Sequence, residues 1–322
     1  MSSTAITFVK LQQELQKALS TIEDSTEIKS KLPESFESAG FPMAQSLLER
    51  CEEIVQKNNI QVKPTIRVLQ HFACSGGTLV SKCFAALPNV YLLSEAHPTT
   101  ELHMGQGKAK FLPSDVTSMA RYAKIPDSAG LAHTLFKQNI IATARHTERL
   151  GGQLIIREHT HTDYCVGKNT VKNSTVINIL SEEFNILQLA TIRDPIDAYR
   201  SLTENNWIHF DPGTFEEYCQ RFLVFVNTLE DKQIIRYEDF VDNPTMQMQV
   251  MADKLELPFD ECFMDTFSIF RVSGDSGRRG EKIEPRDRKA LSDDFKKEIL
   301  NSKSYRMITK RFGYDTMGVE ND

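Results

Sequence analysis

The stretch Ile66-Arg-Val-Leu-Gln-His-Phe-Ala-Cys-Ser-Gly-Gly-Thr-Leu-Val-Ser-Lys-Cys-Phe-Ala-Ala-Leu87 decides the fold. Ile66 to Phe72 reads as a buried strand, Ala73 to Thr78 as a small-residue loop, and Thr78 to Leu87 as a helix that Pro88-Asn89 breaks. This is half of a βαβ unit. Apolar runs at Val90 to Leu93, Gln153 to Arg157, Ile186 to Ile192 and Gln233 to Arg236 read as further strands. Helical spacing recurs at about 133–150, 170–184, 195–205, 214–229 and 245–256. Strands alternating with helices predict a three-layer α/β/α domain around a mainly parallel sheet.

At 322 residues and 40% hydrophobic content the chain can bury a large core, which excludes a disordered tail or a minimal disulfide scaffold. Acidic residues outnumber basic ones, 44 to 38, for a formal charge of -6. There is thus no bulk positive field for nucleic acid or anionic lipid, and an anionic ligand needs a local cluster. The six cysteines are scattered with no C-x-x-C pair, as in a reduced cytoplasmic protein. No apolar run approaches the ~20 residues of a membrane span.

Two amphipathic stretches, Ile6 to Ser20 and Met43 to Val55, flank a polar segment with Pro33. They divide the chain into an N-terminal helical extension, 1–63, and an α/β domain, 64–322. The extension is a flap or a contact for a homo-oligomer and carries no chemistry of its own. The irregular stretch from Pro98 to Gly130 is either a lid or specificity element, or a solvated insertion.

Four constellations can carry chemistry. In Ala73-Cys-Ser-Gly-Gly-Thr78 the glycines let successive N–H groups wrap an anion at a helix N-terminus, unless the loop is an ordinary strand-to-helix turn. A nucleotide-triphosphatase loop would place lysine directly before the Ser/Thr; Gly77 stands there instead. In Ile192-Arg-Asp-Pro-Ile-Asp-Ala-Tyr-Arg-Ser201 a strand delivers Arg193 to its carboxyl end, Asp194 caps the next helix and Pro195 suits its first turn. Ser201 lies about two turns along that helix, where it can hydrogen-bond the same anion; alternatively Arg193 is a salt-bridge residue and Ser201 a surface hydroxyl. In Leu154-Ile-Ile-Arg-Glu-His-Thr-His-Thr-Asp163 an extended continuation puts His159, His161 and Asp163 on one face. That face can bind a metal, supply a general base, or merely pin the loop. The segment Arg271 to Lys289 carries seven basic against four acidic residues among interleaved glycines, and is a closing basic loop or a solvated one.

Together these features resemble the sulfotransferases that use 3'-phosphoadenosine 5'-phosphosulfate. Ser75-Gly76-Gly77-Thr78 is similar to the family's 5'-phosphosulfate loop, and Leu87-Pro-Asn-Val-Tyr-Leu-Leu-Ser-Glu95 to the segment after its first helix. Arg193 and Ser201 reproduce the spacing of its 3'-phosphate pair. Arg236-Tyr-Glu-Asp-Phe240 with Asn243-Pro244 is similar to its Tyr-Glu-Asp segment, and Ser273 to Arg279 to its nucleotide-covering loop. The resemblance covers about Ile66 to Phe312. It implies a P-loop-like sulfotransferase fold, donor binding by Ser75, Gly76, Gly77, Thr78, Arg193, Ser201, Arg278 and Arg279, and no metal requirement. Arg157-Glu158-His159 matches the triplet that supplies the family's cation and general base, which carries those roles to Arg157 and His159. One position departs: Cys74 stands where the family has Lys or Arg, so Arg157, Lys82 or His71 must supply that charge.

The expected reaction is sulfuryl transfer to a hydroxyl, secondarily an amine, of a small-molecule or carbohydrate acceptor. Two rivals stand beside it: a P-loop kinase of a small substrate, which would need ATP and magnesium, and a non-catalytic nucleotide-binding or interaction protein on the same fold. The 98–150 region and Asn206-Trp-Ile-His-Phe-Asp-Pro-Gly213 are expected to line the acceptor site, with Trp207 a stacking platform or a core anchor.

Overall fold

The computed structural model describes residues 63–100, 102, 115–272 and 282–314. The predicted extension (apart from residue 63), Arg278 and Arg279 lie outside the described residues, as does most of the segment between 101 and 114.

Strand β1 (Thr65–His71) is followed by helix α1 (Gly77–Ala85) and β2 (Val90–Ala96). After α2 (Ser128–Arg149) come β3 (Gln153–Glu158), the short α3 (Thr160–Tyr164), β4 (Val166–Gly167) and α4 (Thr175–Leu180). Strand β5 (Asn185–Ile192) leads into α5 (Pro195–Glu204), β6 (His209–Phe210) and α6 (Phe215–Val226). Strand β7 (Ile234–Arg236) leads into α7 (Tyr237–Asp242) and α8 (Pro244–Lys254), and α9 (Asp293–Asn301) and α10 (Lys303–Phe312) follow. The main sheet has the order β2-β3-β1-β5-β7, every neighbouring pair parallel; β4 and β6 form a separate parallel pair.

Side-chain alternation explains the layers. On β1, Ile66 and Val68 join Leu154 and Ile156 of β3 in one core with Ile140 of α2 and Val176 and Leu180 of α4. Leu69, with Ile155 and Leu189, faces the other way onto Val80 and Phe84 of α1 and Met248 and Met251 of α8. Burial on both faces is why these strands read as near-continuous apolar runs rather than alternating ones. The three-layer α/β/α architecture expected from the sequence is thus the one observed.

This order also positions the site. β1 lies between β3 and β5, so the segments leaving the carboxyl ends of these three strands are neighbours, where open parallel sheets bind ligands. They are the 72–78 loop, His159 onward, and Arg193 onward.

Candidate functional site

The loop after β1 is anchored before it turns. Phe72 plugs into a cluster with Tyr218, Phe222 and Phe225 of α6, ring centroids 5.1, 5.3 and 5.4 Å away, while the Tyr218 hydroxyl donates to the Ala73 carbonyl at 3.1 Å. Ser75 is used up inside the loop. Its N–H donates to the Phe72 carbonyl at 3.0 Å and its hydroxyl to the Thr191 carbonyl at 2.9 Å. Among the described residues the N–H groups of Gly76 and Gly77 make no hydrogen bond, as geometry requires at the start of a helix. Of the predicted loop contacts, the glycine backbone is therefore available to an anion, whereas the Ser75 side chain is turned into the sheet.

Both glycines are sterically required. Gly76 has φ +82°, and a Cβ there would collide with the Tyr237 ring; one on Gly77 would lie 2.5 Å from Cγ of His71. The Tyr237 ring that lies on Gly76 also carries the Arg193 guanidinium, 5.0 Å from its centroid. Among the described residues Arg193 makes no ion pair, though its charge acts on the partly buried Glu238 carboxyl. Asp194 caps α5 as expected, accepting from the Ile196 N–H at 2.9 Å, with Pro195 in the first turn. Ser201 lies farther along α5, its carbonyl accepting from the Asn205 side-chain amide at 2.6 Å.

Beyond β3 the structure departs from the expected extended run. Pairing with β2 ends at Glu158, no ladder holds the chain straight, and it winds into α3 with His159 at its N-cap. His159 and His161 nevertheless stay together, their rings stacked with centroids 6.1 Å apart, while Asp163 is engaged elsewhere. Asp163 instead accepts from Thr175 N–H at 2.7 Å and pairs with His97 at 3.1 Å, and His161 Nε2 meets His209 Nδ1 at 3.0 Å. Burial pushes the Asp163 carboxyl up, but those partners outweigh it and hold it below its ordinary value. Among the described residues no group of three or more His, Cys, Asp or Glu side chains is placed to hold a metal ion.

Alternation still separates the triplet. Arg157 and His159 look into the site, while Glu158 points the other way, accepting from Gln70 and Ser174 at 2.8 Å each. Burial pushes the Glu158 carboxyl up to about 8, with Asp163 adding. Arg157 donates to Ser94 Oγ at 2.9 Å and pairs with Glu95 at 2.5 Å. His159 Nδ1 is 2.8 Å from Thr162 Oγ1, which itself donates to Thr100 Oγ1 at 2.8 Å. Thr100 Oγ1 is also 3.2 Å from Nδ1; we take the tautomer in which Nδ1 carries the proton, donated to Thr162, and Nε2 the lone pair. Burial, with His97 and Arg157 adding, holds the His159 imidazole down at about 4, so it is neutral at pH 7.

Of the groups expected to offset the neutral Cys74, His71 carries no charge. His71 is buried, and burial together with the Arg157 charge holds it well below its ordinary value, so it is neutral. Its ring packs against Gly77. The basic segment contributes less than its composition suggested: Arg288 neutralises Asp194 and Asp197, and Lys289 pairs with Glu204 at 3.3 Å.

Two site residues were missed as functional groups. Tyr237 and Glu95 each lie inside a stretch that resembles the family, but neither spacing nor residue type gave them a role. Trp207 is 40% exposed, which excludes the core-anchor reading. It lies two residues before His209 in sequence.

No family model matches the chain, and no curated protein matches it. Among solved structures it is similar to the sulfotransferase domain from the curacin biosynthetic pathway, at 17% identity and a TM-score of 0.49, covering 78% of this chain and 98% of that one. The sulfotransferase domain from the Synechococcus PCC 7002 olefin synthase is 15% identical with a TM-score of 0.43, covering 79% and 97%. A sulfotransferase from Alicyclobacillus acidocaldarius is 12% identical with a TM-score of 0.40, covering 81% and 100%. These are proteins of the family that the motifs resemble, but likenesses at such TM-scores do not place the chain in it.

Proposed function

We propose that the protein is a sulfotransferase that takes a sulfuryl group from 3'-phosphoadenosine 5'-phosphosulfate and gives it to an acceptor hydroxyl. The observation that supports the reading is the stack of Gly76, Tyr237 and Arg193, which joins the glycine loop, with its open N–H groups, to a guanidinium that makes no ion pair among the described residues. Loop N–H groups at Gly76, Gly77 and Thr78 hold the 5'-phosphate, and Arg193 with Ser201 holds the 3'-phosphate that distinguishes this donor from ATP. Arg278 and Arg279 complete the nucleotide site. Sulfuryl transfer, like phosphoryl transfer, needs in-line placement and charge stabilisation more than covalent help from the protein.

The acceptor oxygen attacks sulfur as His159 Nε2 takes its proton, and the bond from sulfur to the 5'-phosphate oxygen breaks. The products are a sulfate ester and adenosine 3',5'-bisphosphate. Arg157 offsets the charge that develops between loop and acceptor, the task for which Cys74 has no cation. A neutral, buried imidazole is in the right state to accept a proton at pH 7.

The test is donor turnover: release of adenosine 3',5'-bisphosphate from the sulfated nucleotide in the presence of simple alcohols, phenols and sugars. Acceptor-dependent release supports the reading. No release with any acceptor, alongside tight binding of the bisphosphate, would favour the non-catalytic rival.

A further inference from the structure

Glu95 occupies a place that its sequence position does not explain. It is the penultimate residue of an edge strand, where the pairing of β2 with β3 slips between Leu93 and Ala96. A register slip of this kind re-aims a side chain. Glu95 itself has φ +59°, a left-handed conformation that a non-glycine residue holds only when its surroundings impose it. The slip turns its carboxylate inward, where the side chain is 9% exposed. One oxygen meets Arg157 Nη2 at 2.5 Å and the other faces His159 Nε2 at 3.6 Å.

The second contact is informative because both atoms are acceptors. With the proton on Nδ1, the Nε2 lone pair and a carboxylate oxygen confront each other across a gap too long for a hydrogen bond. The confrontation turns favourable once a proton arrives at Nε2. Cationic and ionisable neighbours meet the same imidazole from the other elements: Arg157 on β3, His97 after β2, His161 and Asp163 on α3, and His209 on β6. Arg157 and His97 oppose charge on the ring, and Asp163 is already engaged by His97 and Thr175. Glu95 is the anion that faces Nε2 directly.

We propose that Glu95 is a positioning residue of the transfer: one carboxylate oxygen fixes the Arg157 guanidinium, and the other receives the N–H that His159 Nε2 gains when it takes the acceptor proton. The inference rests on the sulfotransferase reading of the site. In the step the acceptor O–H proton moves to Nε2, the resulting imidazolium is paired by Glu95, and the proton returns to solvent after the products leave.

The test compares wild type, Glu95→Gln and Glu95→Asp in donor turnover, with calorimetric binding of adenosine 3',5'-bisphosphate as the control for an intact site. Glu95→Gln keeps the shape and loses the charge. It should lower kcat about 100-fold, at the low end of general-base effects, with the donor KM and bisphosphate binding within about twofold of wild type. Glu95→Asp should recover most of the loss. An unchanged kcat in Glu95→Gln overturns the role of Glu95, as does a fall in kcat matched by an equal loss of bisphosphate binding. No turnover by wild type overturns the sulfotransferase reading, and this inference with it.

Discussion

Replacing Arg193 by Ala removes a guanidinium that, among the described residues, makes no ion pair and rests on the Tyr237 ring at 5.0 Å. The apo fold loses only that stack, about 0.5–1 kcal/mol at a partly exposed site. Its Tm should therefore stay within a few degrees of wild type. Binding should suffer more, because a charged hydrogen bond to phosphate contributes about 1.5–3 kcal/mol. At 1.4 kcal/mol per factor of ten, Kd for adenosine 3',5'-bisphosphate should rise roughly 10- to 150-fold. Adenosine 5'-phosphate lacks the group assigned to Arg193, so its affinity should fall less than about threefold on the same scale. Arg193→Lys keeps the charge without the forked donors and should be intermediate. Isothermal titration of both nucleotides against the three proteins decides the matter. Equal weakening for the two nucleotides, or none for either, would refute the assignment of Arg193 to the 3'-phosphate.

His159→Ala should abolish transfer while leaving bisphosphate binding within about twofold of wild type, measured by turnover and calorimetry in parallel. Gly76→Ala places a methyl in the Tyr237 ring at φ +82°. Left-handed strain of about 1–2 kcal/mol and overpacking of about 1–3 kcal/mol should appear as a lowered urea midpoint together with loss of nucleotide binding. His159 also predicts a pH dependence of stability. Its imidazole is held at about 4 in the fold, against roughly 6.5 when unfolded. The unfolded state therefore binds the extra proton first, and this contribution to stability is lost as pH falls from about 6.5 towards 4. Between pH 7.5 and 4.5 wild type should lose about 2–3 kcal/mol more than His159→Gln in urea unfolding. A difference independent of pH would show that the ring is not buried in its neutral form.

The strands of the main sheet and the helices packed on it were legible because a strand buried on both faces leaves an apolar run, and a helix on its surface leaves a 3.6-residue stripe. Ile66–His71, Ile186–Ile192 and Phe215–Val226 are of this kind. The loop glycines and Arg193 were legible as well, since each sits where a strand ends and a helix begins. The run from His159 to Asp163 was misread: period-two alternation presumes a ladder partner, and β2 gives out at Glu158. The charge of Arg288 and Lys289 was also overcounted towards the nucleotide, because their partners Asp194, Asp197 and Glu204 are some 85 to 94 residues away in sequence. Tyr237 and Glu95 were invisible as site residues for a similar reason. The role of Tyr237 depends on the absence of a Cβ at Gly76, and that of Glu95 on a register slip in an edge strand. Neither leaves a local pattern.

The central claim is that the loop and Arg193 recognise a nucleotide by phosphates on both its 3' and 5' positions. Thermal unfolding of wild type with saturating adenosine 3',5'-bisphosphate, and separately with ATP and magnesium, tests it most directly. The account predicts a clear rise in Tm with the bisphosphate, about 2.7 kcal/mol of stabilisation at a hundredfold excess over Kd, and little or none with ATP. Stabilisation by ATP and magnesium alone would contradict it.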